Sequence, residues 1–113
     1  MGTGLSEVEA LIRKLDLDFD LDEVRSEAAH LVLQELEARR DALTSWEKMH
    51  LEMAIALLPT SWLRLCLTHL RMALEPPAAE VREQVERERN EQFEWITRGE
   101  LVARLKRLDL LAR

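Results

Sequence analysis

The stretch SWEKMHLEMAIALLPTSWLRLCLTHLRMAL, residues 45–74, is apolar around most of the helical circumference on both sides of Pro59. Thr44 with Glu47 makes a capping box ahead of it, Pro59 ends or kinks the first half, and Thr60 or Ser61 offers a second cap. Only Lys48 and Glu52 on the first half, and Arg64, Thr68 and Arg71 on the second, form polar strips. Helices with so little polar surface sit at the centre of a bundle. The segment therefore predicts two central helices, at about 45–58 and 61–74, paired as an αα-hairpin or joined as one kinked rod.

The rest of the composition agrees with an all-α bundle of five or six helices. The 113 residues include three Gly, three Pro and no Tyr, with Leu, Ala, Glu and Arg abundant, a helix-favouring mixture. Apolar residues at 47% and charged ones at 34% belong to a folded chain of single-domain length, 1–113.

N-terminal to the centre, Ser6 and Glu9 read as a capping box for a short helix at 7–15, with Val8, Leu11, Ile12 and Leu15 at helical spacing. LDLDFDLDEV, residues 15–24, then alternates apolar and acidic residues. As a strand it would be rich in Asp and without a partner. As a calcium loop it places Asp16, Asp18, Asp20 and Glu27 at positions 1, 3, 5 and 12, but Leu21 occupies position 6, where the turn needs Gly. The remaining reading is an acidic connector, 16–20, in which Asp20 caps a helix with Glu23 at its third position. That helix, about 21–42, has the stripe Leu21, Val24, Ala28, Leu31, Val32 and Leu36, with Glu35 near its middle either marking where the stripe ends or standing as a buried acid that needs a partner; it opens the bundle region 21–75.

C-terminal to the centre, Pro76-Pro77 breaks the chain, and a charged helix at 78–97 follows. It has no apolar residue between Val85 and Phe93, and Glu83, Arg87 and Glu91 pair along it at i,i+4. Its apolar anchors are Val81, Val85, Phe93, Trp95 and Ile96, and these are the expected partner-binding residues, since aromatics anchor interfaces. The last helix, 100–112, sets Leu101, Val102, Leu105, Leu108 and Leu111 against basic Arg104, Lys106 and Arg107, whose natural complement is the acidic run from Asp16 to Glu23, within the chain or across an interface.

Chemistry is sparse. Glu27 with His30, Glu47 with His50, and Cys66 with His69 are three i,i+3 pairs of the kind found in metal-binding helical bundles. Helical phase puts His50 and His69 toward the core but leaves Glu27 and His30 on the flank of their stripe, and turns Glu47 about 100° from Trp46. Two core-edge histidines bonded to backbone or to each other are the simpler reading, so no metal ligand, cofactor or catalytic residue is expected. Cys66 falls on an apolar face, where a thiolate is disfavoured, and no Gly-rich phosphate loop or nucleophile elbow occurs. A stand-alone enzyme is not expected.

The single cysteine fits a reducing compartment, the start of the chain does not read as a signal peptide, and the longest apolar runs fall short of a membrane span. A cytoplasmic protein that meets neither membrane nor nucleic acid is the expectation, the latter because the formal charge is −6. The phrases FDLDEVR (19–25) and SWEK (45–48) resemble phrases in the helical N-terminal region of nitrile hydratase β subunits, in a different order and spacing. The resemblance implies only that small helical chains serve as subunits of larger assemblies. The function expected is a protein–protein interaction module, an accessory or regulatory subunit that self-associates or docks on a partner; the alternative is a metal-binding bundle built on the Glu-x-x-His pairs.

Overall fold

In a computed structural model that describes residues 3–39, 42–92 and 96–111, the chain folds into six helices, with no strand among the described residues. They are α1 (Thr3–Asp16), α2 (Leu21–Arg39), α3 (Ser45–Leu57), α4 (Leu63–Leu74), α5 (Ala79–Gln92) and α6 (Arg98–Arg107). α3 and α4 form the αα-hairpin, and theirs is the most extensive interface in the molecule. α1 packs on α4 and α2, and α6 packs on α2 and α3.

Local chemistry explains each boundary at the centre. Thr44 accepts from the Glu47 N–H, and the Glu47 side chain accepts from the Thr44 N–H at 3.1 Å, so the capping box is complete. α3 ends before Pro59, and Thr60 fixes the turn: its hydroxyl donates to the Leu57 carbonyl and accepts from the Trp62 N–H at 3.1 Å. Thr60 thus orders the turn, while the N-cap of α4 is Trp62, which makes no side-chain cap.

The N-terminal helix is longer than its apolar spacing implies, beginning at Thr3, so Ser6 lies inside it. Gly4 permits a close approach there: a Cβ on it would stand 3.2 Å from Glu35 Oε1 and 3.3 Å from Leu74 Cδ1. α1 closes with Asp18 in the left-handed region (φ 61°) and the Phe19 N–H reaching back to the Lys14 carbonyl, the six-residue bond of a Schellman cap. Asp109 (φ 58°) also takes the left-handed region after α6, with its N–H bonded to the Lys106 carbonyl. Asp20 then caps α2, its carboxylate accepting from the Asp22 N–H at 2.9 Å.

The core runs through all the helices except α5. Val8 and Leu11 meet Val24, Ala28, Val32 and Leu36, then Leu51, Ala54, Ile55 and Leu58, Leu63, Cys66, Leu67 and Leu70, and Leu101 with Leu105. Two expectations need correction. Leu21 heads the α2 stripe in sequence but is 53% exposed, because it is the first residue after the cap and lies beyond the end of the packed face. On α3, Glu52 is half-buried because α6 covers it with an Arg104–Glu52 ion pair, and Glu47 is buried against Arg39 of α2; the outward strip is Met53 and Ala56. Among the described residues α5 touches only α3 of the other helices, and Ile96, just beyond it, is buried.

Candidate functional site

The three i,i+3 pairs separate in space. Glu27 turns to Lys14 of α1, with Nζ to Oε2 at 3.1 Å, and His30 is exposed. Glu47 is committed to the Thr44 cap and to an ion pair with Arg39, which also holds Glu35 at 2.8 Å. Arg39 is therefore the partner that Glu35 requires, and it ties the end of α2 to the start of α3. Among the described residues no three His, Cys, Asp or Glu side chains come together as a metal would require.

The histidines of the other two pairs do meet. His50 on α3 and His69 on α4 place their Nδ1 atoms 3.0 Å apart, so one neutral ring donates to the other. Trp46 extends the array, its ring centroid 4.3 Å from that of His50 and its indole N–H donating to the Met72 carbonyl at 2.9 Å. His50 is buried and His69 half-buried, and desolvation lowers the His69 pKa below the usual imidazole value. One turn from His69 toward the start of α4, the Cys66 thiol donates to the Ala54 carbonyl at 3.2 Å. Burial pushes its pKa up to about 12, partly offset by the positive Arg25. A thiol held protonated in this way is no nucleophile at neutral pH.

The acidic connector is tied down by basic side chains from two helices. Arg64 of α4 pairs with Asp16, and Arg25 pairs with Asp22 while donating to the Leu58 and Thr60 carbonyls. Arg25 thus satisfies carbonyls at the C-terminus of α3. Within the chain, Arg104 of the last helix pairs with Glu52 and not with the run from Asp16 to Glu23, and Arg98 donates to the Leu36 carbonyl. Large apolar side chains stand in solvent on the connector and the α3–α4 side: Leu17 at 69%, Phe19 at 42%, Leu21 at 53% and Trp62 at 64% exposure. Lys14 Nζ lies 5.5 Å above the Phe19 ring.

Next to the connector, α1 and α2 border an open groove of about 570 Å³. Leu11, Leu31 and Leu33 contribute its apolar surface, and Glu7, Lys14, Glu27, His30 and Glu37 its polar surface. Helical spacing of Glu7, Ala10 and Lys14, and of Glu27, His30, Gln34 and Glu37, is the sequence signal for these two ridges. In the sequence this spacing is indistinguishable from that of a solvated helix face beside a buried stripe.

Of the expected partner-binding residues, Val81 is exposed at 48%, Val85 is half-buried and Ile96 is buried in the core. Phe93 and Trp95 lie outside the described residues. No helix among the described residues is long and apolar enough to cross a membrane. Comparison with family models, curated proteins and solved structures finds no match.

Proposed function

We propose that this chain is a helical protein–protein interaction module, an accessory or regulatory subunit acting through self-association or docking on a partner protein. The observation that supports it is the exposure, at 42–69%, of Leu17, Phe19 and Leu21 on a segment held by ion pairs and a helix cap, and of Trp62 on the turn ordered by Thr60. Large apolar side chains fixed in solvent are an interface feature; a mobile loop could fold them away. The start of α5, with Val81 outward, is a second docking face, and Trp95 with Phe93 belongs to that proposal. On this reading the chain works in the cytoplasm, without a cofactor, on protein and not on nucleic acid or membrane, and it catalyses no reaction alone.

Light scattering of the purified protein from micromolar to hundred-micromolar concentration, with an apolar-patch dye, tests the reading. Concentration-dependent assembly or strong dye binding is expected. A monomer throughout that binds no dye would overturn it. The second reading, a metal-binding bundle, draws on the His50–His69 contact, and stoichiometric metal in the purified protein would establish it over the first.

A further inference from the structure

The charge of this chain is not spread over it. Residues 1–39 hold ten carboxylates and four basic side chains, whereas residues 40–113 hold twelve of each, so the whole excess of −6 lies on the α1–α2 hairpin. The groove of about 570 Å³ lies between those two helices. Its apolar side chains are Leu11 and Leu31, both buried, and half-buried Leu33. Glu7 and Glu37, both exposed, stand on opposite helices, and its one lysine, Lys14, is neutralised by Glu27.

We propose that the α1–α2 groove is the docking site for a basic amphipathic helix of a partner protein. This rests on the interaction-module reading and names its partner class. Two neighbouring helices with apolar side chains between them present the groove into which the ridge of a third helix fits, read as anchors at i, i+3/i+4 and i+7. Carboxylates on both sides select an occupant with Lys or Arg flanking its apolar ridge, and they repel an acidic one. The exposed Leu17 and Phe19 extend the apolar surface past Lys14, so a helix longer than the groove finds further contact.

A second copy of this chain is a poor occupant. Its basic helix, α6, already spends Leu101 and Leu105 on its own core and Arg104 on Glu52. Residues 40–113 as a whole have no net positive charge to offer.

The probe is a fluorescein-labelled peptide of about 18 residues, roughly five helical turns, with Leu on one face and Lys on the other. Its controls are the same peptide with Glu for Lys and a scrambled version. Binding is read by anisotropy at low and high salt, and the site by amide shifts of the labelled full chain. The site variant is Glu7→Lys with Glu37→Lys. The control variant, Glu83→Lys with Glu88→Lys on α5, changes net charge by the same amount. All four positions are exposed, and circular dichroism checks that both variants fold.

The expected result is salt-sensitive binding of the Lys peptide alone, with shifts confined to α1, α2 and the connector between them. The site variant should weaken it about tenfold, and the control variant should leave it within about twofold. Equal weakening by both variants would reduce the effect to bulk charge and overturn the proposal. So would binding of the acidic or scrambled peptide, shifts elsewhere, or no binding. Assembly seen by light scattering and unaffected by the site variant, together with no peptide binding, would sink the groove while leaving the interaction-module reading intact.

Discussion

His50 and His69 are joined Nδ1 to Nδ1 at 3.0 Å across the central hairpin, under the ring of Trp46. Two histidines drawn together by helix packing can share one hydrogen bond only while at least one Nδ1 is unprotonated. The pair therefore links the most extensive helix interface to proton concentration.

Desolvation lowers the His69 pKa in the folded chain below its unfolded value of about 6.5, so the unfolded chain binds more protons between the two values. The contribution of this histidine is fully present above about pH 6.5 and is lost progressively as pH falls toward the folded pKa. Urea midpoints between pH 8 and 5 should fall below about 6.5, and His69→Gln should flatten that fall. A midpoint rising through this window would contradict the assignment.

At the start of α2, Asp20→Ala removes the carboxylate that accepts from the Asp22 N–H and should cost about 1 kcal/mol by chemical denaturation. Millimolar calcium should leave the melting temperature of the unmodified protein unchanged. The carboxylates that a calcium loop would use are engaged elsewhere, Asp16 with Arg64 and Glu27 with Lys14. A calcium-dependent rise of several degrees would reverse that conclusion.

Both results bear on how legible the chain was. The central hairpin could be read from residues 45–74 because its caps, its proline and its apolar excess all agreed. The end of α1 was harder, because the residue that takes the left-handed position is Asp18, where glycine is the usual signal. The outward face of α3 was misjudged for a tertiary reason: periodicity marks Glu52 as polar but cannot foresee that Arg104 of a distant helix covers it. The groove was missed because its ridges consist of exposed residues, and a solvated helix face and a docking face have the same spacing.

Cys66 should resist alkylation. Its thiol is fully buried, donates to the Ala54 carbonyl and has a pKa raised to about 12. At pH 8 a thiol-reactive probe should label the native protein only at the rate at which the hairpin opens, and label it at once in denaturant. Rapid native labelling would mean that α3 and α4 part locally.

Arg39 should matter more than an i,i+4 surface pair. It holds Glu35 at 2.8 Å and also pairs with Glu47, which is only 5% exposed. Arg39→Ala leaves that buried carboxylate without its cation and should cost about 2 kcal/mol, discounted from a fully buried pair because Arg39 itself reaches solvent. Glu47→Gln in the same background should recover part of the loss. No recovery would assign the cost to the packing of the Arg39 stem instead.

Trp46 and Trp62 flank the same hairpin but should answer to different tests. Trp46 donates its indole N–H to the Met72 carbonyl and meets the His50 ring at a tilt, so Trp46→Ala removes a hydrogen bond and a ring contact inside the fold. It should cost about 2 kcal/mol and broaden or lower the melt. Trp62 is 64% exposed; its backbone N–H goes to the Thr60 hydroxyl and survives substitution. Trp62→Ala should change stability by less than about 0.5 kcal/mol, as for other surface positions. If the display of Leu17, Phe19, Leu21 and Trp62 is an interface, the same change should reduce apolar-patch dye binding and weaken concentration-dependent assembly in light scattering. The decisive comparison is between the two variants in both measurements. Trp62→Ala lowering the melt as far as Trp46→Ala, with assembly unaffected, would make Trp62 a structural residue and remove the main support for the interaction reading.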